Sequence, residues 1–127
     1  MFDEILRLLN TSAMLRDLQI IELIVYGQNA LRTKLRAEVT DNLMLQVWLN
    51  HNSRHTRYAY QLFQGNQAIL RWDNAPHHPE VAANFPHHFH DESGQLQPST
   101  LSGDPVTDLP FVLLEIQDYL QRLNQAL

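Results

Sequence analysis

Five of the seven histidines in this 127-residue chain, His77, His78, His87, His88 and His90, fall within fourteen consecutive positions, interleaved with Pro79 and Pro86 and close to Asp73, Glu80 and Asp91. Imidazole has an unperturbed pKa of about 6.5, so one ring can take a proton near neutrality while another gives one. Neutral imidazole is also a common ligand for divalent metals. The chain contains no cysteine, so any metal would rest on His, Asp or Glu alone. No HExxH or similar metal spacing is present, and adjacent histidines direct their rings apart. The plain alternative is a stiff loop, because Pro76, Pro79 and Pro86 restrict the backbone while Asp73 and Asn74 favour turns.

The acid–base reading is the more specific. Transesterification of RNA needs a group to deprotonate the 2′-hydroxyl, a group to protonate the leaving oxygen and cations for the charge that develops. His77, His78, His87 and His88 supply the first two, with Arg71 and Asp73 at the entrance to the histidine segment and Tyr58 and Tyr60 on the expected neighbouring strand. These eight residues are the candidate catalytic set. Strand alternation puts Tyr58 and Tyr60 on one face and Arg57 on the other, so the tyrosines are expected beside either Arg71 or Trp72. Arg32, Lys34, Arg36, Arg54 and Arg57 are the candidate contacts to a phosphate backbone. Under the competing metal reading, the ligands would come from His77, His78, His88 and His90.

These residues need a scaffold to hold them. Phe2, Ile5, Leu6 and Leu9 mark a short helix over residues 2–10. LQIIELIVYG (18–27) is rich in β-branched residues and ends at Gly27, which suits a largely buried strand better than the alternative of a second helix. In ALRTKLRAEV (30–39), Leu31, Thr33, Leu35, Ala37 and Val39 alternate with Arg32, Lys34, Arg36 and Glu38, the pattern of a strand with one buried face. A turn at Asp41 and Asn42 leads to LMLQVWLN (43–50), and Gly65-Asn66 marks a hairpin between RHTRYAYQLFQ and QAILRW. Beyond Trp72 the periodicity dissolves until about residue 107. A final helix is expected with Asp108 as its cap, Pro110 in its first turn and an apolar stripe of Leu109, Val112, Leu113, Ile116, Leu120 and Leu123. The fold class is therefore α+β. A five-stranded antiparallel meander carries a short N-terminal helix, a C-terminal helix packed on one face and a long His/Pro-rich loop after the last strand.

A chain of this length encloses one core, so residues 1–127 are expected to form a single domain. Nothing approaches a membrane span and MFDEILRLLN lacks the marks of a signal peptide, which together point to a soluble, cytoplasmic protein with no membrane partner. The net charge of −5 is unevenly spread. Residues 30–72 carry six cations against Glu38 and Asp41, whereas residues 73–118 carry eight acids and no Lys or Arg. The cationic half suits RNA as a partner. An exposed edge strand or an apolar helix face would support a homodimer.

RYAYQLFQGNQAILRWDNAPHHPEVAANFPHHFH (57–90), and within it DNAPHHPE (73–80) followed by FPHHFH (85–90), resembles the TumE-type small toxins of two-gene toxin–antitoxin modules. The similarity runs from the first helix through the strands to the last helix. It implies the toxin of a type II system, neutralised by a cognate antitoxin that carries a DNA-binding domain. The residue types, with the analogy to other small toxins, favour a metal-independent endoribonuclease that requires no cofactor. The alternatives are a metal-dependent hydrolase or nucleotidyl-transferring enzyme built on the same histidines, and a non-catalytic module that inhibits a partner protein.

Overall fold

The structure, a computed structural model, describes residues 1–40 and 42–126. Its elements in chain order are α1 (Phe2–Thr11), β1 (Arg16–Gly27), β2 (Ala30–Thr40), β3 (Leu43–His51), β4 (Thr56–Gln64), β5 (Gln67–Asp73), β6 (His88–His90), β7 (Leu96–Pro98) and α2 (Pro105–Gln125). The strands form one antiparallel sheet in sequential order. The α+β meander expected from the sequence is present, but with seven strands instead of five. β6 and β7 lie inside the His/Pro segment and are three residues each. Three residues are too few to impose a period of two on a sequence, so these strands left no pattern.

The cleanest sequence pattern is reproduced in space. Thr33, Leu35, Ala37 and Val39 of β2 are buried, and with Leu45, Val47 and Leu49 of β3, Tyr58, Tyr60 and Leu62 of β4, and Leu70 and Trp72 of β5 they line one face. Ile5 and Leu9 of α1 and Leu109, Val112 and Ile116 of α2 complete that layer. Each buried Val, Leu or Ile among them contributes about 1.5–3 kcal/mol. Both helices therefore cover one side of the sheet and leave the other side open.

Two local expectations are corrected. LQIIELIVYG does form a strand, but β1 is the sheet edge and is mostly exposed, with Val25 at 68% and Tyr26 at 52%. β-branched residues mark strand propensity, whereas burial depends on what covers the strand. The cap of α2 is Asp104, whose side chain accepts from the Val106 N–H at 3.2 Å, with Pro105 at the first helical position. Asp108 sits one turn inside, buried, and accepts from Ser102 N, Ser102 Oγ and Gly103 N at 2.8–3.1 Å. Both are Asp just ahead of an apolar stripe, and the Pro at the first position, favoured there for its fixed φ, decides for Asp104. Pro110 then falls inside the helix. Of the turn expected at Asp41 and Asn42, Asp41 lies outside the described residues.

Candidate active site

The last full strand delivers the site. In β5 the side chain of Trp72 enters the helix-side layer and stacks on Phe89 of β6 at 5.0 Å between centroids. Alternation therefore turns Arg71 and Asp73 to the open face, where their cross-strand partners are His90 and His88. Asp73 is buried and its carboxylate is fully used. Oδ2 accepts from Arg71 Nε at 2.5 Å, and Oδ1 lies 2.8 Å from His88 Nε2 while accepting from Ala75 N at 3.0 Å. The other ring nitrogen of His88, Nδ1, is 3.0 Å from the Pro86 carbonyl. Both nitrogens of this buried ring thus face acceptors, which fixes its orientation.

His78 comes from the loop between β5 and β6 and folds over this pair. Its ring lies edge-on to His88 and His90 at centroid distances of 4.9 and 5.7 Å, and His88 and His90 are 5.1 Å apart. His78 Nδ1 is 3.1 Å from Glu80 Oε1. Hydrogen bonds from the Glu80 backbone and from His78 hold the Glu80 carboxyl below its usual value, so a carboxylate faces that ring. Burial, and then the neighbouring His88, lower the pKa of His90.

The loop is ordered by side-chain bonds that replace a strand ladder. Asn74 accepts from the Tyr58 N–H at 3.0 Å and donates to the Thr56 carbonyl at 2.7 Å, tying the end of β5 to the start of β4. Asn84 adopts a left-handed backbone (φ 59°), tolerated by Asn, and donates to the carbonyls of Ser99 and Leu101 at 2.7 and 2.9 Å. A family model described as Toxin TumE matches residues 5–120, a span that holds every strand and the whole histidine loop. The chain belongs to the TumE toxin family. No curated protein and no solved structure matches it.

In this TumE-family chain the sequence-derived candidates divide by face. His78, His88, Asp73 and Arg71 come together, joined by His90, which had been named only as a metal ligand. His77 is exposed and outside the cluster. His87 turns to the helix side, where its Nδ1 is 2.8 Å from the Tyr58 hydroxyl and the two rings stack. Tyr58 and Tyr60 stack on one another at 4.7 Å on that same side, next to Trp72 and away from Arg71. Burial, and then the Asp108 carboxylate, push both phenols well above their ordinary range.

Among the cations, Arg32, Lys34, Arg36 and Arg57 lie on the open face, in register with Asn50, Trp48 and Gln46 of β3. Arg32 also pairs with Glu22 at 3.4 Å, and Arg36 Nε donates to Gln46 Oε1 at 2.9 Å. Arg54 instead lines a cleft of about 420 Å³ beside His51, His55, Asn74, His87 and Gly103. Trp48, partly buried between Lys34 and Ala59, escaped the sequence reading as a candidate contact. Its alternation opposite Leu45, Val47 and Leu49 was the signal that could have found it. Among the described residues no helix is long and apolar enough to cross a membrane.

Proposed function

We propose that this toxin belongs to a type II pair, held inactive by its antitoxin, and that it cleaves RNA by metal-independent acid–base chemistry at His78, His88 and His90. One observation carries the reading: the three imidazoles meet beside Arg71 and Asp73 on the same open face as Arg32, Lys34, Arg36 and Arg57. Arg36 on β2 and His90 on β6 are four strands apart, roughly 19 Å at the usual spacing of about 4.8 Å. An extended RNA strand laid across the sheet would meet cations before it reached the histidines. Trp48 offers a ring for one base on the way.

In this scheme His90 is the base. It takes the proton of the 2′-hydroxyl, O2′ attacks the adjacent phosphorus, and the bond from phosphorus to O5′ breaks. His78, with a carboxylate on its Nδ1, protonates the departing O5′. His88, fixed between Asp73 and the Pro86 carbonyl, positions the other two rings, and the free end of the Arg71 guanidinium stabilises the charge on the phosphoryl oxygens. The products would be a 2′,3′-cyclic phosphate and a 5′-hydroxyl.

The test is incubation of purified toxin with a short RNA and with the same RNA in which one nucleotide is 2′-deoxy. Cleavage in excess EDTA, with cyclic phosphate ends and with the deoxy position resistant, is expected. Cleavage at the deoxy position, or activity that EDTA abolishes, would overturn the mechanism.

A further inference from the structure

The same three rings have a second property. One ligand atom from each of His78, His88 and His90 lies within 4.8 Å of the others. Rings that merely crowd together leave their nitrogens in arbitrary settings, whereas here two of the three are oriented by an acceptor on one nitrogen. Glu80 sits on Nδ1 of His78 and leaves its Nε2 for an ion, while His88 has the Pro86 carbonyl on Nδ1 and the Asp73 carboxylate on Nε2, so its Nε2 becomes a ligand by giving up Asp73. A carboxylate or a backbone carbonyl on the outer nitrogen is the usual support of a metal-bound histidine.

The charge balance permits a cation. Arg71 would repel it, but Arg71 is paired with the Asp73 carboxylate. On binding, His88 Nε2 would exchange its contact with Asp73 for the ion, and Asp73 would keep Arg71 and the Ala75 N–H. Three imidazoles and no oxygen donor among them suit Zn²⁺, Co²⁺, Ni²⁺ or Cu²⁺ and are poor for Mg²⁺ or Ca²⁺. Tetrahedral Zn²⁺ with bonds of about 2.0–2.1 Å sets ligand nitrogens roughly 3.3 Å apart, so from within 4.8 Å the rings must close by up to about 1.5 Å. His78 and His90 are only partly buried, which leaves room for that movement and for ion entry.

We infer that His78, His88 and His90 form a capture site for one borderline transition-metal ion, Zn²⁺ foremost, and that a bound ion silences the toxin by occupying the nitrogens used for cleavage. The silencing rests on the proposed acid–base mechanism; the binding does not.

The test uses the full chain without a histidine tag. Co²⁺ is titrated with visible absorption as the readout, and Zn²⁺ is then added in competition. Saturation at one ion per chain is expected, with the absorption lost in His78→Ala and His90→Ala and kept in His77→Ala. Circular dichroism melts confirm that each variant is folded. No saturable binding, or binding that survives in a folded His78→Ala/His90→Ala double variant, would overturn the site. One equivalent of Zn²⁺ is expected to stop RNA cleavage and EDTA to restore it, whereas a Zn²⁺-loaded chain that cleaves as fast as the free one would overturn the silencing. A chain that binds Co²⁺ but cleaves no RNA in either state upholds the metal site and removes only the ribonuclease reading.

Discussion

The Asp73 carboxylate is the part of the site on which most depends, and its three bonds predict how two substitutions should differ. Oδ1 serves two donors, the buried His88 Nε2 and the part-buried Ala75 N, whereas Oδ2 serves Arg71, whose side chain is 40% exposed. Asp73→Ala leaves the buried His88 Nε2 and the Ala75 N–H without this acceptor, and removing one side of a buried, charge-assisted contact such as that to His88 costs about 3–5 kcal/mol. An asparagine at this position keeps the carbonyl oxygen where Oδ1 stands and turns its amide toward Arg71. That guanidinium can swing to water, so only the charge-assisted part is lost, about 1–2 kcal/mol. Arg71→Ala removes a half-exposed partner and should cost about 1 kcal/mol or less. For a domain of this size the Asp73→Ala loss corresponds to a fall in Tm of roughly 10–20 °C. Urea unfolding followed by tryptophan fluorescence reads these values directly, since Trp72 is the neighbouring residue and fully buried. A cost under about 1 kcal/mol for Asp73→Ala with an unchanged denaturant slope, or a larger cost for Arg71→Ala than for Asp73→Ala, would show that this carboxylate does not hold the site together.

Two further outcomes follow from the packing. Asp104→Ala removes a helix cap and should cost about 0.5–2 kcal/mol, while Asp108→Ala should cost more in the same urea titration, because it strands the N–H groups of Ser102 and Gly103. At the open edge, Val25→Ala should change stability by no more than about 0.5 kcal/mol, whereas Leu45→Ala, in the core, should cost about 2–5 kcal/mol. Comparable losses at the two positions would mean that β1 is covered.

How much could be read from the sequence depended on how many residues shared each signal. Alternation over ten residues placed β2 and identified which of its faces carries Arg32, Lys34 and Arg36. The same rule, applied to β4, put Tyr58 and Tyr60 together and Arg57 opposite. It left open whether Arg71 or Trp72 joined the tyrosines, because the register of a hairpin depends on its turn and on any bulge. A register shift next to Leu62 and Phe63 fixes Trp72 opposite Tyr60. Density of histidine marked the site without its geometry. His88 and His90, two apart on a three-residue strand, share a face, and His87 between Pro86 and His88 is thereby sent to the other. That strand was not legible, so His87 was grouped with His88 and His90 was left to the metal reading. The exposure of β1 was likewise out of reach, since its apolar residues look alike whether a further strand covers them or not.

The proposed attack on RNA depends on the cluster on the open face. The most direct measurement is expression in a host lacking the antitoxin, with total RNA sequenced for new 5′-hydroxyl ends, for the unaltered chain and for His78→Ala, His90→Ala and His77→Ala. New ends and growth arrest are expected for the unaltered chain and for His77→Ala, and neither for the other two at equal levels of folded protein. Full toxicity in His78→Ala and His90→Ala, or arrest with no new RNA ends in any strain, would contradict it.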